Sequence, residues 1–265
     1  MGCLIIAEAG VCHNGSVSTA WQLAEAAKDA GADAVKFQHF NSQRLWGDDR
    51  IAHLELSDAE MANVAWRCKE IGIEFMCTPF GVPEVAFLAP LVKRMKIASG
   101  CLNKRDLLQA VAATKLPVIL STGMSTIEEV NAALNWLGYY YPAENPQPYA
   151  LLHCTSAYPC PPDQVNLCAM DVLRHHHGDR CEIGYSDHTD GVAVAIAAAA
   201  LGATVIEKHL TLDCMEIGPD HKASIEPNAF SFMVAAIRRV EQALGDGVKR
   251  VMPAEAELRQ LWRRG

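Results

Sequence analysis

No apolar run in this sequence reaches the roughly 18–20 residues that a membrane-spanning helix needs. Strand-forming residues begin almost at once with Cys3-Leu-Ile-Ile-Ala7, so neither a membrane span nor a signal peptide is expected, and a cytoplasmic location is. No Cys-x-x-Cys pair occurs among the ten cysteines, and several of them sit inside apolar runs. That disfavours a zinc ribbon and a disulfide framework alike, and it suits buried thiols in a reducing compartment. Clusters of Lys and Arg are also missing, and the net charge of -8 argues against a nucleic-acid surface. An acidic balance still leaves room for a local phosphate pocket.

What is present is one pattern repeated along 265 residues, half of them apolar. Short strand-like runs at 4–8, 34–38, 74–77, 95–98, 118–121, 150–153, 183–186 and 205–209 alternate with stretches of helical period. Those helical stretches cover 19–30, 58–71, 83–91, 106–113, 127–137, 167–175, 191–201 and 229–244. Gly31, Gly72, Gly138 and Gly202 fall just past helical runs, where a left-handed residue ends a helix, and Ser57-Asp-Ala-Glu60 reads as a capping box. Strict alternation of eight strands with eight helices predicts a single (β/α)8 barrel over 1–265. An open doubly wound sheet would show the same alternation. Three longer connections interrupt it: 39–56 and 213–227 follow strands and are candidate site walls, whereas the Pro-rich 139–149 follows a helix and reads as a connector. His175-His-His177 is read as cations near a helix C-terminus rather than as a ligand cluster.

The chemistry-bearing residues gather at one end of the strands. His188 closes Ile183-Gly-Tyr-Ser-Asp-His188 and His209 closes Val205-Ile-Glu-Lys-His209, one βα unit apart. Both imidazoles are therefore expected on the C-terminal rim of adjacent strands, where barrel enzymes keep their chemistry. Two nitrogens alone make an open site, suited to an exchangeable divalent metal that retains water and accepts a substrate oxygen. Manganese fits that donor set, with Mg2+, Zn2+, Co2+ or iron as alternatives. Lys36 and Lys96 lie in otherwise apolar strands, and a buried ammonium must meet an internal carboxylate, Glu8 or Glu207, or a bound anion. The nearby hydroxyls of Thr78, Ser99, Ser156 and Ser186, together with small-residue turns, favour a phosphate and carboxylate ligand.

Eight ordered motifs then resemble the N-acetylneuraminate (sialic acid) synthase family. They are Ile6-Ala-Glu-Ala-Gly-Val-Cys-His-Asn-Gly15, Gly31-Ala-Asp-Ala-Val-Lys-Phe-Gln38, Lys96-Ile-Ala-Ser-Gly100 and Ile119-Leu-Ser-Thr-Gly-Met124. His153-Cys-Thr-Ser-Ala-Tyr-Pro159, Gly184-Tyr-Ser-Asp-His-Thr189, Glu207-Lys-His-Leu-Thr211 and Gly218-Pro-Asp220 follow in order. The resemblance implies condensation of phosphoenolpyruvate with an aldose, N-acetylmannosamine or a related sugar, giving a 2-keto acid and phosphate without an organic cofactor. It matches His188 and His209 to the metal ligands and Glu8 to the carboxylate between the two substrates. Lys36, Thr78, Lys96, Ser99, Ser156 and Ser186 correspond to the phosphoenolpyruvate positions, and Asp220 to an acid on the sugar. Gln38 and Tyr158, inside the same motifs, complete the expected substrate contacts.

Three departures from the family pattern stand out. Cys12 replaces the usual Asn, Cys101 replaces an acid near the sugar, and Ala254-Glu255-Ala256 replaces Ser-Glu-Lys. Family members also continue past the Arg263-Arg264 region into a small antifreeze-like domain that serves the partner subunit of a dimer, and this sequence ends at Gly265. The family's dimer relies partly on that domain, so the resemblance leaves both a homodimer and a separate chain acting as the cap open. Another metal-dependent aldolase or isomerase of a phosphorylated sugar, or a non-catalytic ligand-binding barrel, would use the same residues.

Overall fold

Largely apolar blocks of three to seven residues form the strands, and polar side chains cap the start of several of the helices between them. The computed structural model describes residues 2–139 and 149–263. In chain order the strands are β1 (Leu4–Gly10), β2 (Ala34–His39), β3 (Glu74–Pro79), β4 (Met95–Ile97), β5 (Val118–Ser121), β6 (Tyr149–Cys154), β7 (Cys181–Asp187) and β8 (Val205–His209). The helices are α1 (Val17–Asp29), α2 (Ser42–Trp46), α3 (Asp58–Ile71), α4 (Val82–Leu88), α5 (Arg105–Ala113), α6 (Ile127–Trp136), α7 (Ala169–His177), α8 (Ala193–Ala200), α9 (Pro227–Leu244) and α10 (Ala256–Trp262). Capping follows the sequence signals. The Ser57–Glu60 box starts α3, Gly72 ends it in the left-handed region, and Thr126 with Glu129 starts α6 the same way.

All strand pairs are parallel, in the order β3-β2-β1-β8-β7-β6-β5-β4. Pairing of β1 with β8 curls the sheet round, and β4 lies against β3 without a hydrogen-bonded ladder, so the barrel is nearly closed. An open doubly wound sheet would have left the first or last strands apart; here they pair.

Because side chains alternate along a strand, each strand feeds two environments. Outward residues such as Ile5, Val35, Phe37, Ile97, Leu120 and Leu151 join α1, α3, α5 and α9 in the main core. A buried aliphatic side chain there contributes roughly 1.5–3 kcal/mol. Inward residues Ile6, Ala34, Met76, Ile119, Leu152 and Val205 form a separate apolar plug that fills the lower barrel. Two positions further along the same strands, the inward residues become Glu8, Lys36, Thr78, Ser121, Cys154 and Glu207. The plug shuts the barrel from below, so polar chemistry can open only upward.

Two local readings are revised and a third is left untouched. Residues 39–56 are not plain loop, because the Asn41 side chain caps the short helix α2 by accepting from the Arg44 N–H. The three histidines at the end of α7 do not all act as surface cations. His177 is buried edge-on against Tyr139, and burial, helped by His176, pushes its pKa down. Of the connector at 139–149, residues 140–148 lie outside the described residues. All ten cysteines are free thiols and most are buried, as the absence of pairing motifs indicated.

Candidate active site

All twelve residues picked from the sequence line one cleft of about 430 Å³ at the C-terminal mouth of the barrel. Its floor is an alternating ring of charge. Lys36 Nζ lies 2.6 Å from Glu8 Oε2 and 3.6 Å from Glu207 Oε1, and Lys96 Nζ lies 3.6 Å from the same Glu207 oxygen. Neutral donors and acceptors fill the gaps. Lys36 donates to Thr78 Oγ1 at 3.1 Å, Lys96 donates to Ser121 Oγ at 2.7 Å, and the Ser186 hydroxyl donates to Glu207 Oε1 at 3.2 Å. Gln38 Nε2 donates to Glu8 Oε1 at 3.1 Å.

Register explains the ring. Glu8 pairs with Lys36 on one side and with His209 on the other, and Ser186 pairs with Glu207. The two ammoniums therefore need no external anion merely to be buried, since internal carboxylates already meet them. They are not equivalent, however. For Lys36, burial lowers the pKa but Glu207 and Glu8 outweigh it, and the net shift is upward. For Lys96 burial prevails over Glu207, with Lys36 repelling it as well, and the net shift is downward. Lys96 also has the longer carboxylate contact, 3.6 Å to Glu207 against 2.6 Å from Lys36 to Glu8. Burial alone would raise the Glu207 carboxyl, but Lys36, then Lys96 and the imidazoles, hold it well below the ordinary carboxylate range.

Next to Lys96 is a cradle of small groups. Ser99 Oγ accepts from the Gly123 N–H at 3.0 Å, and a Cβ on Gly123 would run into Ser156 Oγ and Ser99 Oγ. Glycine here keeps open a pocket of hydroxyls and a backbone amide, the donor set that phosphate oxygens accept from.

Across the cleft stand the imidazoles, with ring centroids 5.5 Å apart and planes at 60°. His188 Nδ1–H donates to the Thr155 carbonyl at 2.7 Å, which fixes the tautomer and leaves Nε2 with its lone pair. Burial first, then His209, pushes the His188 pKa down to about 4, so the ring is neutral at neutral pH. His209 Nδ1 is buried with no hydrogen-bond partner and lies 3.9 Å from Asp220 Oδ2. Facing rings, one aimed by a backbone carbonyl and one holding an orphaned nitrogen, fit a divalent cation. Among the described residues, no group of three or more His, Cys, Asp or Glu side chains is arranged to hold a metal. Water and substrate oxygens would have to complete the coordination. Tyr158 stacks 4.1 Å from His188 and edge-on to His209, covering the pair from outside.

Asp220 reaches the site because β1 ends irregularly. Gly10 adopts φ +53°, a conformation that disfavours a side chain, and a Cβ there would collide with Asp220 Oδ2. Asp220 also accepts from the Val11 N–H at 3.4 Å.

Sequence reasoning treated Glu207 only as a possible partner for the lysines, yet it is the hub of the ring. Its place between Lys36 and Lys96 could have been found by counting inward positions along β8. Trp46, Phe80 and Met124 were also missed; they form an apolar rim and come from loops and α2, where no period exists to read. Cys12 and Cys101 are buried, and neither lines the cleft.

Comparison with known proteins follows the same lines. Residues 23–249 match the model of the NeuB family. N,N'-diacetyllegionaminic acid synthase of Legionella pneumophila is 41% identical over 100% of this chain and 79% of its own. Human N-acetylneuraminate-9-phosphate synthase is 34% identical over 96% of this chain and 74% of its own. The crystal structure of N-acetylneuraminic acid synthetase from Leptospira borgpetersenii, in complex with citrate, superposes with a TM-score of 0.90 at 34% identity. It covers 100% of this chain and 94% of that one. With eight motifs in order, a barrel of matching topology and relatives aligned along its length, the chain belongs to the NeuB family, the sialic acid synthase family that its motifs resemble.

Proposed function

We propose that this enzyme condenses phosphoenolpyruvate with an aldose of the N-acetylmannosamine type, releasing phosphate and forming a sialic-acid-like 2-keto acid. The observation that supports this best is the sharing of one cleft by two facing imidazoles and a pair of buried ammoniums beside a cradle of hydroxyls. Lys96 and Lys36, with the hydroxyls of Thr78, Ser99, Ser156 and Ser186, would hold the phosphate and carboxylate. Carbon 3 of the enol attacks the aldehyde carbon, and positive charge develops at carbon 2. Water adds to carbon 2, and the bond to the phosphate oxygen then breaks. Glu8, which Lys36 and Gln38 contact, would stabilise that charge and take the proton of the incoming water.

His188 and His209 are the residues that would hold a divalent ion, Mn2+ by donor type, whose chemistry when bound is to polarise the aldehyde oxygen. Asp220 would accept from sugar hydroxyls, and the rim of Trp46, Phe80 and Met124 suits an uncharged, N-acylated part of the acceptor.

The test offers the full chain phosphoenolpyruvate, Mn2+ and a panel of aldoses, assays phosphate and weighs the product. Phosphate release that needs both the metal and an aldose is expected, with a product mass equal to the aldose plus pyruvate. A carbon–carbon product formed without phosphate release would replace this reading with an aldolase, and tight ligand binding without turnover would replace it with a binding protein.

A further inference from the structure

We propose that Asp187 and Lys208, which the cleft chemistry does not use, are positioning residues that set the geometry of the histidine pair. Each immediately precedes one imidazole: Asp187 comes before His188 at the end of β7, and Lys208 before His209 at the end of β8. Strand alternation sends the two side chains outward while Ser186, Glu207 and both imidazoles point into the cleft. Asp187 and Lys208 are register partners across the β7–β8 ladder, and their charges meet at 2.9 Å with both side chains 0% exposed.

The pair also grips the chain beyond His188. Asp187 Oδ1 accepts from the Thr189 N–H at 3.0 Å, the Thr189 hydroxyl at 2.8 Å and the Tyr185 hydroxyl at 3.2 Å. Lys208 Nζ donates to Asp187 Oδ2 and to the Thr189 carbonyl. Residue 188 is thereby held from both sides, and β8 is pinned one residue before His209.

Stability does not explain such a pair. Desolvating two charges offsets most of their attraction, and well-packed apolar residues of similar volume are commonly as stable or more so. What apolar contact lacks is direction. An ion pair with its hydrogen bonds saturated fixes the register and angle of two strand ends, and here those ends carry rings that must converge. This role rests on the reading that His188 and His209 share one ligand.

The experiment compares the full chain with the double variant Asp187→Leu/Lys208→Met, measuring Mn2+ binding by calorimetry without substrate alongside the melting temperature. Unchanged or higher melting temperature with Mn2+ bound about tenfold more weakly is expected, because two rings whose strand ends are no longer held at a fixed angle converge less well on one ion. Restoration of affinity by Asp187→Asn/Lys208→Gln, which keeps hydrogen-bonding groups without charge, is expected too. Wild-type affinity in the folded double variant overturns the positioning role alone. Failure of the wild-type chain to bind Mn2+ or release phosphate overturns the reading of the histidines, and this proposal with it. Should the double variant not fold, Thr189→Val decides, since it removes one tie and leaves the pair. A several-fold weaker Mn2+ affinity supports the role, and an unchanged one ends it.

Discussion

β8 contributes one residue to each of two sets of buried charge, Glu207 inward and Lys208 outward, and the two sets are built in different ways. The outward pair, Asp187 and Lys208, is closed: 2.9 Å apart and bonded to Thr189 on both sides. The inward set is closed on one side, where Lys36 lies 2.6 Å from Glu8, and open at Glu207, which stands 3.6 Å from both Lys36 and Lys96 and whose Oε2 has no hydrogen-bond partner. Charges that only hold a fold in register are brought to full pairing, because every unmet group costs stability. Charges that await a ligand keep part of their bonding capacity in reserve, and the fold tolerates the cost. The difference between the two sets, more than burial itself, separates site from scaffold in this barrel.

Substitutions can break this contrast at several points. The steepest loss is expected for His188→Ala, on the order of 10³-fold, or ~4 kcal/mol, in metal-dependent phosphate release. Activity that survives the change would remove the imidazoles from the mechanism. Next comes a stability contrast. Lys208→Met alone should cost ~3 kcal/mol of unfolding free energy because it strands a buried carboxylate, whereas Lys96→Met should cost less, because Glu207 keeps Lys36 as a partner. Denaturant titrations of the two variants compare them directly, and equal costs would erase the distinction between open and closed charge.

In kinetics the order reverses. Lys96→Met should raise the KM for phosphoenolpyruvate about 100-fold, a few kcal/mol of charge-assisted bonding, while leaving the aldose KM nearly unchanged. Gly123→Ala sharpens the picture at the hydroxyl cradle. The added methyl fills space rather than removing charge, and about a tenfold rise in phosphoenolpyruvate KM is expected with little change in melting temperature. An unaffected KM would move the anion elsewhere in the cleft. Trp46→Ala, at the exposed rim, should have the smallest effect, about threefold to tenfold on the aldose KM alone, read from initial rates at saturating phosphoenolpyruvate.

Legibility from sequence varied with how locally each feature is encoded. The strands and most helices could be read because periods of two and 3.6 residues and their capping residues are properties of near neighbours. His188, His209, Lys36 and Lys96 could be read because a polar residue closing an apolar strand has no use in a core. His177 misled because nothing in a run of three histidines tells which one a neighbouring Tyr139 will bury. The rim residues were unreadable for a related reason: Trp46 ends a one-turn helix too short to show a period, Met124 lies in a loop, and only the closed barrel brings them over the same cleft.

Composition and spacing by themselves determined an alternating α/β chain, its strand ends, and the residue types gathered at those ends, since all of these follow from interactions a few positions apart. Curling of the sheet until β1 met β8 decided the rest. It put Glu8 beside both Lys36 and His209, joined Lys96 to a carboxylate on β8, and separated inward charge from outward charge. Such pairings span up to two hundred residues of chain, and their geometry exists only once the apolar plug and the helical layer have packed and fixed the register between strands.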